Sequence, residues 1–255
     1  MVSLSPSTTE SLYAIGAGDV VVGRSRYCDY PPAVTHLPIV GGFVDASLET
    51  ILGLSPSLVV GARGPGGRGV VDALSARGIA TYFPETESVA QVEEMIRGLG
   101  QRLGRLPEAA SVTLAMARDR GSLAEQLSLV PGPRPRVLLL FGLSPIVAAG
   151  PLGFPHEMLT LSGCDNAILR PELRRSAYPT LSLEQVLAAD PDAVLLTAAM
   201  SEGEPALPST FQPLRAVRDK RVVAIAGDEV LRPGPRLAGG QRAIAMAAHP
   251  GLSLR

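Results

Sequence analysis

Lysine is nearly missing from this sequence: Lys220 is the only one, which excludes Schiff-base chemistry or a phosphate-loop lysine anywhere else. An excess of charge of either sign is missing too. Twenty-three basic residues stand against 24 acidic ones, a formal net charge of −1. There is accordingly no electrostatic footprint for nucleic acid and no basic face for anionic lipid. Cysteine is confined to Cys28 and Cys164, outside any C-x-x-C, and nothing in their placement demands a disulfide. The three histidines, His36, His156 and His249, form no H-x-H or H-E-x-x-H pattern, which argues against zinc uptake; His249, before Pro250, reads as a surface residue. No G-x-S-x-G occurs, so a hydrolase elbow is absent. No run approaches the roughly 18–20 apolar residues that cross a bilayer. The richest, residues 137–154, is interrupted by Ser144, Pro145, Gly150 and Pro151. No signal peptide is visible, because residues 1–4 already read as a strand; the expectation is a cytoplasmic protein or one whose export segment has been removed.

What is present suits a folded α/β protein. Of 255 residues, 46% are hydrophobic and 18% charged, enough for a sizeable core and too apolar for disorder. Short apolar runs alternate with helical patterns along the whole chain. The strand candidates are residues 2–4, 20–23, 58–61 and 80–83, then 137–141, 193–197 and 222–226. From residue 88 to 129, Val92, Met95, Ile96, Leu99 and Leu103 recur at helical spacing, and Pro131, Pro133 and Pro135 end the pattern. The expected organisation is an α/β lobe over 1–87, a connecting helical segment over 88–130 and a second α/β lobe over 131–255.

An internal repeat supports two equivalent lobes. Ser47-Leu48-Glu49 leads through Leu52 and Pro56 to Val59; Ser182-Leu183-Glu184 leads through Leu187 and Pro191 to Val194, at a constant offset of 135 residues that also maps Val2 onto Val137. Ser47 and Ser182 read as N-caps with an acid in the first turn. Locally, Glu49 and Glu184 complement the helix dipole by about 0.3–1 kcal/mol; their symmetry also fits a pair of docking points, one on each lobe.

Taken in order, several segments resemble the cobalamin-type periplasmic binding proteins of ABC importers. They are VSLSPSTTE at 2–10, GRSRYCDYPP at 23–32, LPIVGGF at 37–43, the 47–60 unit, FGLSP at 141–145, the 182–195 unit and RPGPR at 232–236. The resemblance spans nearly the full chain. It implies two Rossmann-like lobes joined by a single long α-helix, with a ligand cleft between them and no catalytic role. It further implies capture of cobalamin, or of haem or a ferric siderophore as in sister groups, for delivery to an ABC transporter permease. Glu49 and Glu184 match the acids that pair with transporter arginines in that family.

A flat, partly apolar macrocycle calls for aromatic surface and a few polar groups at its rim. Tyr27 and Tyr30 follow the second strand in a Pro-rich loop; Phe43 and Tyr178 precede the two Glu-bearing helices. By resemblance, Tyr30, Phe43 and Tyr178 fall at aromatic cleft positions, and Asp228 and Arg232 at polar ones. The chain departs from the family in having no tryptophan: Phe43 and Tyr178 stand where its best-known member has Trp, and Ala62 and Val147 replace other large aromatics, so a wider, less stacked cleft is expected. Arg63 follows the third strand, at a carboxyl end where open α/β sheets hold ligands. His156 opens a helix after a Gly/Pro-rich loop and is a candidate axial ligand to cobalt or haem iron. From another class, Gly64–Gly69 spells G-x-G-x-x-G after a strand, with Glu85 or Glu87 about 20 residues on, as a dinucleotide-dependent enzyme requires; Pro65 inside the turn speaks against it.

Overall fold

The computed structural model describes residues 1–42, 45–63, 67–169, 176–197, 207–225 and 228–252. The chain divides into two compact units, Met1–Met116 with Arg232–Pro235, and Ala117–Leu231 with Arg236–Arg255.

In the first unit, β1 (Val2–Ser3), β2 (Gly23–Arg24), β3 (Leu58–Val60) and β4 (Ala80–Tyr82) form a parallel sheet in the order β2-β1-β3-β4. Helices α1 (Pro6–Ala14), α2 (Leu48–Gly53) and α3 (Gly67–Ser75) follow β1, β2 and β3 along the chain, and α4 (Val89–Leu103) follows β4. The strands are short and covered, as parallel strands must be: Val2, Val59 and Val60 are fully buried, and Val2, Leu4, Val40, Ile51, Val59 and Leu74 form one apolar cluster. Residues 20–22 do not belong to the strand expected at 20–23. Gly18–Val20 is a 3-10 turn with Val20 and Val22 exposed, and pairing with β1 begins only at Gly23.

The helical stretch from 88 is two helices. Ser88 caps α4 by accepting from the Gln91 amide at 3.2 Å, and Gly104, at φ +67°, ends it in the left-handed conformation that favours glycine. Helix α5 (Leu106–Ser128) then runs 23 residues, and the division between the units falls within it.

In the second unit, β5 (Arg136–Leu143), β7 (Asp165–Asn166), β9 (Ala193–Leu196) and β10 (Val222–Ala224) pair in parallel, β5 lying between β7 and β9. This repeats the β2-β1-β3-β4 order, and the 135-residue offset holds within one residue: Val2 pairs Val59, and Val137 pairs Ala193. The far half of β5 instead pairs antiparallel with β6 (Ile146–Ala148), and β6 with β8 (Thr180–Leu181), an addition without counterpart among the described residues of the first unit. Helices α6 (Gly153–Leu161), α7 (Leu183–Ala189), α8 (Arg215–Arg218) and α9 (Leu237–Ala248) complete it. Both cysteines are buried and free, and burial pushes the Cys164 thiol up to about 12. His249 is no surface residue: 8% exposed, its Nε2 lies 3.2 Å from the Ser162 carbonyl, and burial lowers its pKa.

Candidate functional site

A β2-β1-β3-β4 order reverses its winding between β1 and β3, and ligands of open α/β sheets bind outside the carboxyl ends at such a point. In the first unit that edge is a polar nest. Ser5 closes β1 and caps α1; its Oγ also accepts from the Ala62 amide at 3.0 Å, tying the end of β1 to the end of β3. Beside it, Arg63 pairs with Glu85 at 2.7 Å, joining the loops after β3 and β4, both side chains well exposed.

The loop after β2 carries Tyr27 and Tyr30, which are 54% and 44% exposed and so are not core residues. Several groups fix this loop. Arg24, 8% exposed, donates to the carbonyls of Ser25, Cys28 and Thr35 at 3.2, 2.9 and 3.0 Å. Arg26 lies over the Tyr27 ring at 6.0 Å and forms a two-pronged pair with Asp45 at 3.0 and 2.8 Å, which holds the Asp45 carboxyl below the usual carboxylate range. Asp45 Oδ1 also accepts from the Gly42 amide at 3.0 Å. Phe43 lies outside the described residues. Arg232 donates to Asp29 at 2.6 and 3.1 Å and to the buried Glu10 at 3.1 Å. The structure thus brings Tyr27, Tyr30, Arg63 and Arg232 to the first unit, with the guanidinium of Arg232 engaged by acids that sequence spacing gave no reason to suspect.

In the second unit Tyr178, 46% exposed, meets Phe141 edge-on with ring centroids 5.1 Å apart. The loop before it approaches β6 closely: the Gly150 amide donates to the Ala177 carbonyl at 2.9 Å, and a side chain at Gly150 would meet the Ser176 carbonyl and Pro179. Thr197, at the carboxyl end of β9, is 1% exposed, and its Oγ1 has no hydrogen-bond partner among the described residues. The Nδ1 of His156, in the first turn of α6, is likewise buried without a partner. Asp228 follows β10 in this unit. Among the described residues no three His, Cys, Asp or Glu side chains are grouped to hold a metal.

Glu49 and Glu184 are equivalent. Each occupies the first turn of a helix capped by serine, α2 by Ser47 and α7 by Ser182, the latter in a capping box with Gln185. The Ser182 hydroxyl lowers the pKa of Glu184. Of the G-x-G-x-x-G stretch, Gly64 to Gly66 lie outside the described residues, and Gly67 and Gly69 lie within α3.

The family model for periplasmic binding proteins matches residues 1–228. The chain belongs to that family. The vitamin B12-binding protein of Photorhabdus laumondii is 29% identical over 238 residues, 93% of this chain and 83% of that protein. Among solved structures, a periplasmic haem-binding protein from Pseudomonas aeruginosa superposes with a TM-score of 0.88 at 26% identity, covering 99% of this chain and 93% of that one. The periplasmic vitamin B12-binding protein of Vibrio cholerae gives 0.85 at 24% identity, over 97% of this chain and 95% of that one. Both sequence and structure therefore place the chain among two-lobed α/β binding proteins, whose named relatives take vitamin B12 or haem.

Proposed function

We propose that this periplasmic binding protein captures cobalamin or a close corrinoid and delivers it to the permease of an ABC importer, outside the cytoplasmic membrane and without a catalytic step. One observation carries the proposal: tyrosines stand exposed on loops at the carboxyl edge of the first unit (Tyr27, Tyr30) and in the second unit (Tyr178), in a chain whose relatives bind this ligand class. Exposed rings held by neighbouring charges and rings suit the apolar faces of a macrocycle. Phe43 is assigned to the same surface. Arg63, Asp228 and Arg232 supply polar contacts to the amide rim, and Glu49 and Glu184 dock the permease.

Haem is the second reading, favoured by the fit to the Pseudomonas protein and by the unpartnered Nδ1 of His156, a potential axial ligand. An absorbance titration with cyanocobalamin, haemin and a ferric siderophore separates these. Tight, saturable binding of cyanocobalamin alone supports the first; a haemin Soret shift that His156→Ala abolishes supports the second. Binding of none of the three overturns both.

A further inference from the structure

We propose that Arg24 is a positioning residue for ligand capture: its buried guanidinium gathers carbonyls from along the loop that displays Tyr27 and Tyr30 and presets that loop. The proposal rests on the ligand-binding reading above and adds to it a residue that never touches ligand. The loop, residues 25–37, contains Pro31 and Pro32, which have no amide hydrogen to donate. Its backbone bonds are confined to its ends and to a short 3-10 turn: the Ser25 and Arg26 amides donate to the Ser3 and Gly41 carbonyls at 3.0 and 2.8 Å, and Pro32–His36 is a 3-10 helix. Arg24 supplies the order from beneath. Its own backbone is fixed by Pro38 and Val40, at 2.9 Å each, so the fork rests on a rigid base. From there Nη1 reaches Ser25 and Cys28, and Nη2 reaches Thr35, so carbonyls from the beginning, middle and end of the loop converge on one planar group.

The burial of this charge is otherwise hard to justify. No carboxylate pairs with Arg24 among the described residues, and its Nε is buried without a partner. A buried cation with no counter-ion is costly, and is retained where its hydrogen bonds satisfy groups that would otherwise be orphaned. Here the Cys28 and Thr35 carbonyls are such groups, and the Ser25 carbonyl, which also accepts from the Cys28 amide at 3.1 Å, is a third carbonyl on the same guanidinium. A fixed fork of donors can meet three of them together, which a lysine ammonium on a flexible stem cannot do in the same geometry. Arg26–Asp45 and Arg232–Asp29 then pin the loop from its outer side. A platform ordered before the ligand arrives avoids the entropy of ordering it on binding.

The test is a double-mutant cycle read by absorbance titration, together with hydrogen exchange of the ligand-free protein. The variants are Arg24→Lys, Tyr30→Ala and the double. Arg24→Lys, which keeps the charge and is chosen over Arg24→Met to keep the fold, should weaken binding of the ligand that wild type takes by about tenfold. Tyr30→Ala should then cost much less in the Arg24→Lys background than in wild type. Additive losses would mean that Arg24 only stabilises the unit and would overturn the proposal. Amides of residues 26–36 should exchange at least about tenfold faster in Arg24→Lys while those of α4 are unchanged, since local opening reports local order; unchanged loop exchange also overturns it. If wild type binds none of cyanocobalamin, haemin or ferric siderophore, the ligand reading has failed, and the exchange experiment still decides whether Arg24 orders the loop.

Discussion

The two units share a four-strand parallel order yet hold their edge loops by different physics. In the first, the loop after β2 is held by guanidinium groups: Arg24 on carbonyls, Arg26 on Asp45, Arg232 on Asp29 and Glu10. In the second, the antiparallel β6–β8 addition leads out of a backbone ladder, and Tyr178 leans on Phe141. Exposed ion pairs weaken in salt and a ladder does not, so one repeated fold presents one edge that ionic strength can loosen and one that it cannot.

The largest effect should come where the units are alike. Glu49→Ala with Glu184→Ala is expected to abolish uptake in a transport assay while leaving ligand affinity in titration unchanged; undiminished uptake would remove the docking assignment. The next should come from backbone approach. Gly41 sits at φ +112°, and a side chain there would lie 2.5 Å from the Asp45 carbonyl oxygen, whereas one at Gly150 would meet the Ser176 carbonyl. Strain of this kind costs about 1–3 kcal/mol. Both Gly41→Ala and Gly150→Ala should lower the melting temperature; an unchanged melt for either would show that its loop yields freely.

A pH titration of stability, compared between wild type and a His249 variant, probes the second unit. Burial lowers the His249 pKa below its ordinary 6.5, so the unfolded chain takes up a proton that the folded site resists. Stability should be full above about pH 6.5, fall as pH drops through that value, and level off below the depressed folded pKa. His249→Gln should flatten that slope in denaturant melts, and an identical slope would mean that another group sets it. Smallest of all, Arg26→Gln should lower the melting temperature only slightly, as loss of an exposed ion pair does, and the loss should shrink at high salt. A salt-independent loss would assign Arg26 a packing role instead.

How much of this was visible in the sequence follows from the range of the forces involved. Strands β1, β3, β5 and β9 were legible because burial on both faces leaves an apolar run, and the Ser47 and Ser182 caps because capping acts within three residues. The β6–β8 pairing was not, since Ser144, Pro145 and Gly150 read as interruptions rather than as the turns of an added hairpin. Arg232 was recognised as polar, but its partners Asp29 and Glu10 lie 203 and 222 positions away, beyond any local pattern. His249 was misplaced because a neighbouring proline suggests surface, whereas the fold closes over it at Ser162. The placement of Tyr27 and Arg63 at one sheet edge needed only their positions just after strands.

The return of Arg232–Pro235 to the first unit has a consequence for dissecting the molecule. A fragment truncated at Met116 would retain Glu10, its side chain 1% exposed, but would lose Arg232, which donates to it at 3.1 Å. Removing a cation from beside a buried acid penalises autonomous folding. The first unit is thus completed by a splint from residues 232–235, more than a hundred positions beyond Met116, and expressing it in isolation would require that splint to be grafted back.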